Sequence, residues 1–317
     1  MTTDFLTDAR KPDGMTFQHC IYHGGCPDGF TAAWLVRDDA GREPCSFIPA
    51  SYTDVPPFWR IQPEDNVIIV DYSYPRELMV ELAGKCNQLV ILDHHKTAEA
   101  DLVGIENEAD NITCIFDMNR SGAGLAWSYF GGQDVSKVLV GYIEDRDLWN
   151  WELPRSKEVS AYIGSLEQTW TTWTSLNIDL VSGPGHPTFE VAVGKGGAIL
   201  RAADKIIASL VKNYRHLVIN IEHGPVHMAP SPYAYGSEVA GLLAVPGSYG
   251  VYYVDKTDGR KYGLRSLKDD PEIEGGYDVS VVAKELGGGG HRNAASFFIP
   301  WDQSIFSVRA KLLGEQA

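Results

Sequence analysis

Several things are missing from this sequence, and each absence narrows what the chain does. No apolar run approaches the roughly 20 residues of a membrane-spanning helix. The opening stretch "MTTDFLTDARKPDG" is polar and acidic and lacks the charged-then-apolar order of a signal peptide. Cysteine is scarce, five in 317 residues. The number is odd and no Cys-x-x-Cys pair occurs, which argues against a disulfide framework and for a reducing cytoplasm. Internal repeats and low-complexity tracts are absent. Basic residues are also short, 27 against 42 acidic ones, for a formal net charge of −15. That balance disfavours a protein gripping long nucleic acid through many phosphate contacts. It leaves room for a short or small anionic substrate, since bound divalent ions and a few local basic groups reverse the field inside a cleft.

What is present reads as an ordinary globular chain, 44% hydrophobic and long enough for two domains. The first half alternates strand-like and helical runs. "FQHCIYH", "CSFIPA", "NVIIVDYS" and "QLVILDHH" read as strands. "DGFTAAWLVRDDAG", "RELMVELAGK", "GAGLAWSYF" and "VSKVLVGYIEDRDLWNW" read as helices. Short, nearly all-apolar strands separated by helices predict an α/β domain with a parallel sheet covered on both faces. Residues 155–215 look helical, with "WTTWTSLNIDLVSGPGHP" as an irregular interruption and a long connecting helix after it. From about 216 the pattern becomes α+β, with a hairpin turning at Asp258-Gly259. The expected division is 1–160, a helical connector over 161–215, and a smaller domain over 216–317.

His23, Asp71 and the run Asp93-His94-His95 all fall at the carboxyl ends of predicted parallel strands, the edge where open α/β sheets bind ligands. With Asp28, Asp145 and Asp147 they form one constellation. Acids gathered on one rim repel each other unless cations are bound, and Asp/His clusters from several strand ends hold paired divalent ions used for displacement at phosphorus. One of the adjacent histidines is free to take a metal while the other faces substrate, and Asp93 is suited to orient His95.

The second constellation is "GGGGHRNAASF", residues 287–297. Its glycines, Gly289 and Gly290 among them, let backbone N–H groups approach an anion, with His291 and Arg292 at the mouth. Arg265 on the preceding hairpin has the geometry to clamp a phosphate, though such residues are more often solvated surface groups. Arg120 and Ser121 stand at a helix start, an anion-binding position, where Ser121 reads equally well as a simple N-cap. The five tryptophans between 127 and 173 read as packing rather than base-stacking platforms.

The ordered set His23…Asp28, Asp71, Asp93-His94-His95, Asp145 and "GGGGHRNAASF" resembles the DHH phosphoesterase superfamily. It is most similar to the branch with the DHH-associated C-terminal domain and its GGGH signature, and within that to the nanoRNase, or oligoribonuclease-like, subgroup. The resemblance spans about residues 17–300. It implies one ion held by His23 and Asp71 and a second by Asp28, Asp71, His94 and Asp145, with Asp71 bridging. It also implies catalytic roles for Asp71, Asp93 and His95. His95 would lie near the substrate phosphate, and His291 and Arg265 would hold the substrate.

Two departures stand out. Cys26 occupies the place where many members carry the first aspartate of His-x-Asp-x-Asp, and the last motif reads Ala-Ala-Ser for the usual Ala-Ala-Gly. Cys26 is open to three readings: a thiolate ligand, a small buried filler, or a neighbour of an ion held mainly by water. The habit of free cysteine favours the filler.

The expectation is therefore a cytoplasmic, two-metal phosphodiesterase that trims short oligonucleotides from an end. Its ions are Mn²⁺, with Mg²⁺ or Co²⁺ as substitutes. Membranes and long duplex DNA are not among its expected partners, and a homodimer is left open. The enzymatic rival acts on small phosphoanhydrides, nucleotide bisphosphates or cyclic dinucleotides. The non-enzymatic rival is a nucleotide-binding protein, which would have no need of a bridging Asp71.

Overall fold

The computed structural model describes residues 10–41, 44–51, 54–214, 218–221 and 224–304. The first residues of the acidic opening stretch, 1–9, lie outside the described residues. The chain divides into two compact units, Met1–Leu200 and Arg201–Ala317.

The first unit is built from β1 (His19–His23), α1 (Pro27–Ala40), β2 (Ser46–Ala50), β3 (Asn66–Val70), α2 (Arg76–Ala83), β4 (Gln88–Asp93), α3 (Lys96–Leu102), β5 (Ile112–Phe116), α4 (Gly122–Tyr129), α5 (Asp134–Asp147), α6 (Ser156–Gly164), α7 (Trp170–Leu180) and the first half of α8 (Pro187–Tyr214). Its five strands pair in the order β2-β1-β3-β4-β5, all parallel. Alternate residues along each strand enter opposite cores. Cys20, Ile68, Val70, Val90 and Leu92 pack with α1, α4 and α5 on one face. Ile21, Val67, Ile69, Leu89 and Ile91 pack with α2 on the other. Burial on both faces is why these strands read as continuous apolar runs, and the predicted α/β class holds.

Two elements differ from the sequence reading. The stretch expected to be irregular contains α7, because Thr169 caps it by accepting from Thr172 N–H, and Trp173, Leu176, Asn177 and Leu180 fall on one buried face. Its β-branched and aromatic residues are weak helix formers, so packing outweighs propensity here. Edge strand β5, in "NITCIFD", gave too short a signal to be recognised. Residues expected in a connector contribute to the first core: Ile163, Trp173 and Phe189 all belong to it. Helix α8 runs unbroken through its glycines and across the point where the two units divide.

The second unit holds β6 (Val218–Ile221), β7 (Gly224–Pro230), α9 (Gly236–Leu243), β8 (Tyr249–Asp255), β9 (Gly259–Ser266), α10 (Val279–Glu285), β10 (Gly289–His291) and β11 (Ala294–Pro300). They form a mixed sheet, β10-β11-β9-β8-β7-β6, parallel only between β7 and β8. Strands β8 and β9 make the expected hairpin, closed by Lys256 N–H donating to Gly259 O. Among the described residues no helix is long and apolar enough to cross a membrane.

Helices α1 and α4 begin hard against the strand ends, and only glycine permits it. A Cβ on Gly29 would sit 2.5 Å from His23 O, and one on Gly122 would collide with the Asp71 side chain. Gly122→Ala is expected to destabilise the fold by about 1–3 kcal/mol, the usual cost of overpacking. Urea denaturation of the variant beside the parent measures it.

Candidate metal centre

The strand order turns around between β1 and β3, and such a switch point opens a crevice at the carboxyl ends of the strands. His23 ends β1, Asp71 follows β3, and Asp93, His94 and His95 close β4. Asp71 is held by its backbone. Its N–H donates to Leu92 O at 2.9 Å, and its φ of 55° lies in the left-handed region, uncommon for a residue with a side chain. The Asp71 side chain is 2% exposed, and its two oxygens face different ways. Oδ1 lies 3.1 Å from His94 Nε2. Oδ2 lies 3.4 Å from His23 Nδ1 and is buried without a hydrogen bond.

Three carboxylates converge on one imidazole nitrogen. His94 Nε2 stands 3.1 Å from Asp71 Oδ1, 3.5 Å from Asp147 Oδ2 and 3.7 Å from Asp28 Oδ2. Burial alone would lower the His94 pKa, but these acids outweigh it and raise it to about 10. Burial would raise the Asp71 carboxyl, yet His23 and His94 hold it well below the usual range. Asp28 is pushed well above that range by burial and by the charges of Asp71 and Asp147. Burial also raises Asp147, despite the opposing charge of His94. The crevice thus has more acid than its own cations neutralise, and its donors suit divalent ions. The atom groups that lie within 4.8 Å of one another include Asp28–His94–Asp147 and His23–Cys26–Asp71.

The neighbouring residues hold these groups in line. Both Asp28 oxygens accept from the start of α4, from Gly122 N–H at 2.6 Å and Ala123 N–H at 3.0 Å. Asp93 is fully buried and accepts from Ser73 Oγ at 2.6 Å, from the His94 N–H and from His95 Nδ1 at 2.7 Å. His95 is therefore oriented by Asp93, as its sequence position suggested, with its Nε2 turned away from that carboxylate.

The geometry gives several of the expected site residues partners within the fold. Asp145, expected among the ligands, accepts instead from Glu152 N–H and Ser156 Oγ, and so ties the loop after α5 to the start of α6. Two residues along a helix are about 200° apart, so Asp145 and Asp147 cannot face the same way, and Asp147 is the one beside His94. Arg120, expected at the substrate, is 7% exposed, and its guanidinium is engaged by Glu144, Ser128 and Gly124 O. Ser121 is the fully buried N-cap of α4, accepting from Gly124 N–H.

In the second unit the Gly-rich tract is not an open cradle. Gly289, Gly290 and His291 form β10, paired with β11 through a two-residue turn at Arg292-Asn293. The Arg292 guanidinium donates to the carbonyls of Glu274, Gly275 and Gly276. Arg265 donates to Leu264 O and Ser237 Oγ. Of the tryptophans, Trp127 and Trp173 are core, while Trp149 and Trp151 flank the Arg146 guanidinium.

No family model matches the chain. A curated relative, an uncharacterized protein of Acanthamoeba polyphaga mimivirus, is 29% identical over 295 residues, which are 87% of this chain and 66% of the relative. The chain thus spans just under two thirds of that relative's length. Among solved structures the chain is similar to RecJ of Thermus thermophilus in complex with Mn²⁺, with a TM-score of 0.50 and 12% identity, over 94% of this chain and 52% of that one. A pGpG-specific phosphodiesterase, PggH of Vibrio cholerae, aligns over 94% of this chain and 98% of its own, with a TM-score of 0.42 and 11% identity. At such identities the likeness to RecJ is one of fold.

Two outcomes follow for the purified protein. Asp147→Asn should lower divalent-ion affinity at least about tenfold, a cost already reached by outer-partner loss. Asp145→Asn should leave that affinity near normal and cost about 1–3 kcal/mol of stability through the hydrogen bonds it weakens. Metal titration and urea melts separate them. Because an ion must displace the His94 proton, whose pKa is raised to about 10, its affinity should climb with pH. Mn²⁺ should accordingly raise Tm more at pH 8 than at pH 5.5, read by scanning calorimetry.

Proposed function

We propose that the chain is a metal-dependent phosphoesterase of the DHH type that hydrolyses short oligonucleotides from an end. The observation that carries this reading is the Asp71 carboxylate, one oxygen toward His94 and the other toward His23. A single buried acid facing two ligand groups is built to join two ions. The proposed ligands are His23 and Asp71 for one ion, and Asp28, Asp71, His94 and Asp147 for the other. Divalent ions bound there would activate water at neutral pH and neutralise charge developing on phosphorus.

The chain's own residues do the rest. Asp71 fixes the spacing of the two ligand groups through its constrained backbone. Asp93 holds the His95 ring so that Nε2 is presented for a hydrogen bond to a phosphate oxygen. Asp28, anchored on α4, keeps its second lone pairs toward His94. Gly289, Gly290, His291 and Arg265 of the second unit are the proposed substrate contacts, by resemblance to the GGGH-bearing branch. The acidic composition favours short substrates over long strands.

The test is a panel of RNAs and DNAs of two to ten nucleotides, cyclic dinucleotides and polyphosphate, each with metal-stripped protein and added Mn²⁺. Hydrolysis of the short linear substrates that stops in EDTA is expected. Full turnover by stripped protein would overturn the metal-dependent reading, and preference for polyphosphate would move the substrate class. Asp71→Asn should cut kcat by about a thousandfold while the variant still melts cooperatively. Near-normal kcat in that variant would mean that Asp71 joins nothing.

A further inference from the structure

The five cysteines are not alike in their surroundings. Cys20 and Cys45 pack in one apolar core of the first unit, and Cys86 and Cys114 in the other. Cys26 belongs to neither. Its sulfur lies instead with a His23 ring nitrogen and an Asp71 oxygen, all within 4.8 Å of one another. Cys26 is the N-cap residue of α1, in extended conformation, and its sulfur faces the Gly29 N–H in the first turn of that helix. Beside it stands the Asp71 carboxylate, 2% exposed, with Oδ2 buried and without a hydrogen bond. A buried carboxylate oxygen with no well-aligned hydrogen bond is costly, and its ion-pair neighbour, His23 Nδ1 at 3.4 Å, offsets part of that cost. These polar neighbours set Cys26 apart from the four cysteines packed in the apolar cores.

We infer that the Cys26 thiolate is the third protein ligand of the ion held by His23 and Asp71, and that this ion is a borderline-soft one such as Zn²⁺, Co²⁺ or Fe²⁺. The inference rests on the two-ion reading above and refines it. His-x-x-Cys within one turn is a chelating spacing of the kind seen in metal-binding loops. Sulfur, imidazole and carboxylate together select softer cations than an all-oxygen site does. The other position, with Asp28, Asp71, His94 and Asp147, keeps one imidazole among carboxylates and suits Mn²⁺ or Mg²⁺. The two ions would then differ in kind, with Asp71 shared between a sulfur-bearing site and an oxygen-rich one. On coordination the S–H proton leaves to solvent as the sulfur–metal bond forms.

The experiment titrates metal-stripped full chain with Co²⁺ alone and records its absorption. A thiolate ligand gives an intense near-ultraviolet charge-transfer band, and tetrahedral Co²⁺ gives weaker visible bands. The parent and Cys45→Ser should show both. Cys26→Ser and Cys26→Asp should lose the near-ultraviolet band. Cys26→Ser should also lose Zn²⁺ affinity by more than the roughly 10–100-fold that removal of an outer partner costs. Cys26→Asp should regain affinity for Mn²⁺ relative to Cys26→Ser, and far-ultraviolet circular dichroism verifies the fold of each. Visible Co²⁺ bands in the parent without the charge-transfer band would overturn the thiolate ligand while leaving the metal centre standing. Failure of the parent to bind Co²⁺, Zn²⁺ or Mn²⁺ at all would overturn the metal centre itself.

Discussion

The Asp71 carboxylate is the constraint around which the first unit is arranged. It lies just past β3, at the crevice between β3 and β1, with its backbone turned to φ 55° and tied to Leu92. That turn aims one oxygen at β1 and the other at β4. The rest of the rim accommodates it. Gly122 lets α4 start directly over it, and Gly29 lets α1 start directly over His23. Replacing either glycine would push a helix away from the strand ends and widen the crevice.

Charge is the second theme. Asp28, Asp71, Asp93 and Asp147 converge within one small volume, and the fold offsets them only in part. Asp93 is satisfied by Ser73, His95 and the backbone. Asp28 draws on two N–H groups at the start of α4, where the helix dipole favours a negative charge. Asp71 and Asp147 have His94 between them. The four acids therefore differ in what they still demand: His23 and His94 hold Asp71, and His95 and His94 hold Asp93, below the usual carboxylate range, while burial keeps Asp28 and Asp147 above it.

Much of this was legible in the sequence because it depends on position along strands. An apolar run that stops at His23, Asp71 or Asp93 puts that residue at a strand end, and in a parallel sheet the strand ends share one edge. The α/β class follows from the same runs. What was not legible depends on rotation and on partners. "EDRD" gives no phase for the last turn of α5, so the choice between Asp145 and Asp147 needed the helix itself. Arg120-Ser121 has the same sequence signature whether a helix start binds an anion or is capped internally. Here Glu144 sits in the chain's own anion position, accepting from Arg120 and from Ser121 N–H. The glycines before His291 suggested a loop, whereas pairing with β11 draws them into a strand. The environment of Cys26 depends on contacts with residues of two strands, and composition argues only for the average cysteine.

The placing of the His94 ring has one more consequence. Three acids around a single nitrogen favour its charged form, which makes the ring an internal stand-in for a cation. Small metal-nucleated domains unfold when their ion is withdrawn, because nothing else balances the ligands. This crevice has its own placeholder, and extensive apolar cores lie on both sides of its sheet. On the metal-dependent reading, these cores rather than an ion would carry the folding of the first unit. Loading would then be an exchange of the His94 proton for a metal within a crevice already shaped by the sheet.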